Sequence, residues 1–499
     1  MIHHASAAEM IALVADPSTF TGSDDDVVSN DPLTFSDTMA YSERLRLTRE
    51  RSGVTESIVT GRACIDGREV VLIAGEFAFL AGTLGVATAE RVMRAFERAT
   101  QERLPVVALP ISGGTRMQEG TAAFIQMASC AAAVRRFRDA GLLYIVYLRN
   151  PTTGGVLASW ASLAHVRLAE PGALLGLTGP RVAKVMAGAA FPKGVQLAEN
   201  LLAHGVIDDV VAPDKLRERL VEILDWTDPA PRPWQIDPAV PALEPAASVP
   251  AWEAVTESRR SDRFDVMDVL GLCDAEHVCL RGDGAGNDDP GCVVGLARVC
   301  GIAAVVLYQR RDREAGERGA NIGATGYRQY RRGMALALEL GLPIVSFIDT
   351  QGAAMTPADE ESGLAAMIAE CLAALSAVPV PTLSVLLGEG AGGGAIALLP
   401  ADRVIAAEHA WLSPIAPEGA SAILHRTADR APQVAASQSI AATDLLRLGI
   451  VDVVVADTDA PAAPARMAAV IGSELRALVD RAPDERLAAR RQRYRTIAR

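Results

Sequence analysis

The same succession of features runs twice through this chain. In the first half an apolar run (Val106, Val107, Ala108, Leu109) leads into Ser112-Gly113-Gly114. A helical stretch follows, then a second apolar run over 143–148 and the segment Pro151-Thr152-Thr153-Gly154-Gly155. In the second half Ile344-Val345-Ser346-Phe347-Ile348 leads into Asp349-Thr350-Gln351-Gly352. A helical stretch, an apolar run over 382–387 and Gly388-Glu389-Gly390-Ala391-Gly392-Gly393-Gly394 follow. Gly114 and Gly155 are 41 residues apart, Gly352 and Gly394 are 42. Each second glycine group precedes a small-residue helix and an Ala-Glu step, Ala169-Glu170 and Ala407-Glu408. Repetition on this scale implies two homologous domains. Continuous apolar runs alternating with helices imply a mostly parallel sheet wrapped by helices, an α/β class.

Glycines between a strand end and a helix start let the backbone approach a ligand and aim its N–H groups at a negative oxygen. Two such loops per domain can form an oxyanion hole, whose donors are typically worth about 3 to 4 kcal/mol each in a transition state. The candidate catalytic residues are therefore Gly113, Gly114, Gly154 and Gly155, with Gly352, Gly393 and Gly394 in the second half. The competing reading is that they only permit tight turns. A phosphate loop is excluded because no GxxxxGK[ST] pattern occurs, and the later acidic partner of a dinucleotide fold is missing.

Half of the 499 residues are hydrophobic, enough for two cores. Residues 225–250 carry seven prolines and no periodicity, so the expected division is a first domain at 1–228, a linker at 229–252 and a second domain at 253–499. A charged segment, Tyr41 to Ser52, reads as a helix ahead of the first strands. The net charge of -13 argues against nucleic-acid binding. No apolar run reaches membrane-spanning length and no secretory leader is visible, so a soluble cytoplasmic protein is expected. The seven cysteines form no CxxC pair and read as reduced core residues. Cys273, Cys279 and His277 are too few for a convincing zinc site, so no metal is expected. The histidines lie apart from any nucleophile elbow, which leaves triad chemistry unsupported. His409 reads as a surface or satisfied core residue.

Further motifs carry a family resemblance. Glu76-Phe77-Ala78-Phe79, Ala81-Gly82-Thr83-Leu84-Gly85, Ser112-Gly113-Gly114-Thr115-Arg116-Met117-Gln118-Glu119, Pro151-Thr152-Thr153-Gly154-Gly155-Val156 and Ala169-Glu170-Pro171-Gly172 resemble the β subunit of bacterial acetyl-CoA carboxylase carboxyltransferase. Arg281-Gly282-Asp283, Asp288-Asp289-Pro290, Phe347-Ile348-Asp349-Thr350, Gly388-Glu389-Gly390, Gly393-Gly394-Ala395 and Pro417-Glu418-Gly419-Ala420-Ser421 resemble the α subunit. The likeness covers roughly residues 40–220 and 255–460 in one fused chain. It departs from the pattern in three places: the N-terminal four-cysteine zinc ribbon is absent, residues 319–326 replace a Phe-Gly-Met-Pro-like loop, and Ala81 stands where a glycine is usual.

The resemblance implies two crotonase-like ββα-superhelix domains and a carboxyltransferase acting in a biotin-dependent acyl-CoA carboxylase. Carboxybiotin on a partner carrier protein would be one ligand and a short acyl-CoA thioester the other. Gly154-Gly155 and Gly393-Gly394 would supply the two principal oxyanion holes, in sites that form between β-type and α-type domains. A homodimer or larger assembly is expected, with biotin carboxylase and biotin carboxyl carrier protein in trans. Arg328, Arg331 and Arg332 are the basic cluster favoured for CoA phosphates. The alternatives are a biotin-independent malonyl-thioester decarboxylase or acyl-transfer enzyme of the same fold, and a non-catalytic complex subunit.

Overall fold

The computed structural model describes residues 4–179, 185, 191–234, 248–273, 277–310, 321–458 and 462–496. Two compact units divide it, Met1–Leu224 and Asp225–Arg499. The first contains β1 (Thr21–Ser23), β2 (Ile58–Ile65), β3 (Arg68–Gly75), β4 (Val106–Leu109), β5 (Tyr144–Leu148), β6 (Thr152–Thr153), β7 (Val166–Ala169), β8 (Leu175–Gly176) and β9 (Asp209–Val210). Seven of them form one sheet in the order β1-β2-β3-β4-β5-β7-β9, while β6 and β8 pair separately. Strands β1 to β3 are antiparallel, and pairing is parallel from β3 onward. Every residue of β4 and β5 is buried, which is why these runs are continuously apolar rather than alternating. Phe96 packs edge-on against Phe137 and Tyr144, with centroids 5.3 and 5.0 Å apart, tying the helices Val86–Glu102 and Gly120–Asp139 to the sheet.

The second unit repeats this plan. Its strands are β10 (His277–Leu280), β11 (Cys292–Val299), β12 (Ile302–Gln309), β13 (Ile344–Thr350), β14 (Thr382–Ala391), β15 (Arg403–Ala407), β16 (Trp411–Ser413) and β17 (Val453–Val455). They run β10-β11-β12-β13-β14-β15-β17, with β16 paired to β14. The antiparallel hairpin β11–β12 matches β2–β3, and the parallel series β12-β13-β14-β15-β17 matches β3-β4-β5-β7-β9.

Two local expectations are revised. Residues 388–391, read as loop, continue β14: after a register shift Thr350 aligns with Gly390, and Glu389–Ala391 pairs with Trp411–Ser413. The backbone pairing on both sides overrides the local glycine preference. In the stretch read as linker, 235–247 lie outside the described residues, and the residues before them are bound to the second unit. Arg232 N–H donates to Gly301 C=O (2.8 Å), while the Arg298 guanidinium donates to the carbonyls of Asp228 (3.0 Å) and Ala230 (2.9 Å). At its far end the helix Ala251–Ser258 starts directly after Pro250. The helix Tyr41–Ser52 forms as expected, closed by Gly53 at φ 73°.

Candidate active site

In the first unit the chain leaves β4 through Pro110 and Ile111 and is held by paired backbone bonds. Ser112 N–H donates to Pro151 C=O (2.7 Å) and Thr153 N–H to Ser112 C=O (2.9 Å), which lays the two glycine segments side by side. Leu84 N–H donates to Gly114 C=O (2.8 Å) and Arg116 N–H to Leu84 C=O (2.9 Å). Gly114 sits at φ 120° and Gly154 at φ 58°, conformations that L side chains disfavour. A Cβ on Gly154 would come 2.9 Å from Gly114 Cα, and one on Gly155 would come 2.4 Å from Thr115 Oγ1 and 3.2 Å from Met127 Sδ. Gly154 and Gly155 open the short helix Gly154–Leu157, whose first N–H groups have no partner within the helix.

The second unit reproduces these relations. Ile322 N–H donates to Gly352 C=O (3.0 Å) and Ala354 N–H to Ile322 C=O (2.9 Å). Gly352 lies at φ 130° and Gly392 at φ 55°, where the helix Gly392–Ile396 opens. A Cβ on Gly393 would come 2.6 Å from Ile368 Cδ1 and 3.5 Å from Ala353 Cβ. Gly392 is thus the counterpart of Gly154, and Gly393 of Gly155. Gly352 and Gly393 are 41 residues apart, as are Gly114 and Gly155. The structure therefore shifts the pairing by one residue: Gly394 occupies the place of Val156, where a Cβ would come 2.9 Å from the Gly352 carbonyl carbon.

Not all of the candidate glycines present a donor. Gly113 N–H is bound to Ala81 C=O (2.8 Å), Gly114 N–H to Ser112 Oγ (3.0 Å) and Gly352 N–H to Thr350 Oγ1 (3.2 Å). These three shape the loops. Among the described residues, the N–H groups of Gly155, Val156, Gly393 and Gly394 form no hydrogen bond with the protein.

The supports behind the two loops differ. Arg116, two residues beyond Gly114, is fully buried and bridges Glu56 (2.6 Å) and Glu119 (3.1 Å). It also donates to Thr83 C=O (2.8 Å) and lies over the Phe79 ring at 5.4 Å. Ser29 Oγ donates to Glu56 (2.5 Å) and Tyr41 OH to Glu119 (2.6 Å). Burial alone would push the Glu56 carboxyl up, but the Arg116 charge and hydrogen bonds outweigh it and hold it down at about 2. No signal in the sequence marked this network beyond the Arg116–Glu119 spacing, because its other members lie 28 to 87 residues away. At the position of Arg116 the second unit has Ala354, and its charges sit elsewhere. Arg263 pairs with Asp349, and Asp349 accepts the Glu389 N–H (3.0 Å), bracing the ends of β13 and β14.

The three expected CoA arginines share the helix Ala324–Leu340, and each is engaged by the protein. Arg328 reaches Asp283 (3.2 Å) and Thr325 (2.9 Å), and Arg332 donates to Arg281 C=O (2.7 Å). Arg331, more exposed than Arg328, pairs loosely with Glu370 (3.4 Å). His409 Nδ1 lies 2.5 Å from Asp457 Oδ1 in a cleft of about 300 Å³, and that hydrogen bond raises its pKa. With Glu408 these residues are the one group among the described residues whose potential metal-ligating atoms lie within 4.8 Å of one another; Cys273, Cys279 and His277 are not such a group. No helix among the described residues is long and apolar enough to cross a membrane.

A family model described as acetyl co-enzyme A carboxylase carboxyltransferase-like matches residues 244–498. The chain is 48% identical over 473 residues, 94% of each chain, to the probable biotin-dependent acyl-coenzyme A carboxylase beta3 subunit of Mycobacterium bovis. This chain belongs to the acyl-CoA carboxylase carboxyltransferases. It is also 37% identical to the acetyl-coenzyme A carboxylase carboxyl transferase subunits beta/alpha of a Parafrankia species, over 98% of this chain and 85% of that one. Among solved structures, transcarboxylase 12S superposes with a TM-score of 0.75 at 20% identity, over 95% of this chain and 89% of that one. Like other carboxyltransferases of this family, the chain has the crotonase-like fold, and the repeated strand order places it in both units.

Proposed function

We propose that this carboxyltransferase moves a carboxyl group from carboxybiotin, carried by a partner protein, to the α-carbon of a short acyl-CoA through a thioester enolate. The observation that carries this reading is the pair of unspent N–H groups, on Gly155 and Gly393, at the same place in two loops with matching backbone hydrogen bonds and φ angles. The donor set fits the two ligands, since each presents a carbonyl-type oxygen that gains negative charge and neither requires a side-chain base from the protein. When bound, carboxybiotin would supply the CO2 and a basic ring nitrogen for the α-proton.

The chain's own part is geometric and electrostatic. At each helix start, Gly154 and Gly392 take a positive φ and the next N–H is left without a protein partner, and the helix dipole adds a positive end. Gly114 and Gly352, at φ 120° and 130°, take the backbone course that brings the neighbouring segment against that turn. Arg331, with Arg328 and Arg332 on the same helix, is assigned to the CoA phosphates. A homodimer or larger assembly, with biotin carboxylase and the biotin carrier acting in trans in the cytoplasm, completes the reading.

The reverse reaction tests it. Incubation with malonyl-CoA, with and without free biotin, is expected to release CO2 and acetyl-CoA only when biotin is present. Release without biotin would replace the carboxyltransferase reading with a decarboxylase. Absence of turnover with malonyl-CoA and methylmalonyl-CoA alike would contradict the short-acyl assignment.

A further inference from the structure

The two hairpins that begin the parallel series turn in the same way but in different surroundings. The β2–β3 turn uses Asp66 and Gly67, both exposed, at φ 52° and 74°. The β11–β12 turn uses Cys300 and Gly301 at φ 51° and 82°. Both are two-residue turns with positive φ at each position, where a short polar residue followed by glycine is the usual choice. A cysteine in that conformation is uncommon, and Cys300 is fully buried. The turn is covered by Arg232, whose carbonyl would lie 2.4 Å from a Cβ on Gly301. It is also covered by the helix Ala463–Val479, where a Cβ on Gly472 would lie 3.1 Å from Cys300 Cβ.

Beneath the turn lies the end of the helix Val266–Leu272, capped by Cys273, which is also fully buried. Cys300 N–H donates to Cys273 C=O (3.1 Å), so the two backbones are one hydrogen bond apart, a spacing at which two Cα atoms fall within the span of a disulfide. Their Sγ atoms are 2.9 Å apart. Neither residue is in a disulfide here.

We propose that Cys273 and Cys300 form an oxidisable dithiol, a modification site at which hydrogen peroxide joins the helix Val266–Leu272 to the β11–β12 turn. One thiolate attacks the peroxide oxygen, breaks the O–O bond and becomes a sulfenic acid with release of water. The second thiol then attacks that sulfur and expels a second water. The sulfurs lose two electrons, the peroxide gains them, and both thiol protons end in water. Burial gives the site its selectivity: a small oxidant reaches it through local opening of the turn, whereas bulky disulfides and alkylating agents are kept out of the folded chain. The bond closes a loop across 27 positions of sequence, removing unfolded-state freedom from the second unit.

The test uses the intact chain treated with dilute hydrogen peroxide, then denatured in N-ethylmaleimide and mapped by mass spectrometry without reductant. The expected result is one cross-linked peptide pair, Cys273 with Cys300, and a maleimide adduct on each of the other five of the seven cysteines. A different pairing, or both residues recovered separately as alkylated or sulfinylated peptides, would overturn the proposal. In a second measurement the oxidised chain should unfold roughly 5 °C higher than the reduced one. That gain should vanish in Cys273→Ser and in Cys300→Ser, and a gain retained in either variant would overturn the assignment.

Discussion

The two units build the same glycine loop on different foundations. In both, a backbone carbonyl on the first glycine segment accepts an N–H from the preceding loop, Leu84 in one unit and Ile322 in the other, and the helix that follows starts on a glycine at φ 55–58°. Behind the first loop stands a buried charge network of Arg116, Glu56, Glu119 and Tyr41. Behind the second stands Ala354, with an ion pair, Arg263 to Asp349, at the strand ends instead. The backbone arrangement is therefore what the two halves share, and the supporting side chains determine how each loop fails.

The largest expected effect tests what is shared. Gly155→Val and Gly393→Val keep the N–H but crowd the loop and displace it from the oxyanion, so each should lower kcat by about a hundredfold or more, as removal of an oxyanion donor does, with far-ultraviolet circular dichroism unchanged. The first would press on Thr115 and Met127 and the second on Ile368. A variant with normal turnover would break the equivalence of the two loops. The next effect tests what differs. Arg116→Met leaves Glu56 and Glu119 buried without a counter-charge and should destabilise the first unit by roughly 3–5 kcal/mol. Ala354→Ser, at the matching place, should cost less than about 1 kcal/mol. Urea unfolding of both variants measures the contrast, and equal losses would remove it.

The pH responses should point in opposite directions. Glu56 is held below its ordinary value, so its network contributes fully above the unfolded carboxyl pKa and is lost as pH falls through about 2. This amounts to on the order of 3 kcal/mol. The pKa of His409 is raised by its hydrogen bond to Asp457, so that clamp contributes below the unfolded histidine value of 6.5 and is lost as pH rises through the folded one. Unit-resolved hydrogen exchange should show the first unit loosening in acid and the region around Asp457 loosening from neutral to alkaline pH. The smallest effect is expected from Arg331→Ala, a rise of about threefold in KM for acyl-CoA at constant kcat, by initial rates. A changed kcat would move Arg331 out of the phosphate-binding role.

Much of this was legible in the sequence because it rests on local pattern. The buried run Val106–Leu109 is apolar throughout and Ile344–Ile348 is apolar but for Ser346, and the glycines that follow them mark the loops directly. The exact register of the second loop was not legible. Three successive glycines, 392 to 394, offer equivalent choices, and the positive φ at Gly392 together with the side chain of Ile368 selects among them. Arg116 could not be singled out, because its partners come together only when β2 and the Gly82–Gly85 segment fold against it. Arg328 and Arg332 are expected at the CoA phosphates from their charge, and in the structure both also donate to the segment around Arg281 to Asp283. Charge on a helix face shows in the sequence, whereas the acceptor it meets does not.

The central claim is that backbone amides in a glycine loop polarise the thioester carbonyl. Difference infrared spectroscopy with carbonyl-labelled acetyl-CoA tests it most directly. The C=O stretch should fall in frequency on binding to the native chain, and that shift should disappear in one of the two variants, Gly155→Val or Gly393→Val, identifying the loop that holds the thioester. A carbonyl frequency unchanged on binding, or a shift kept in both variants, would contradict the account.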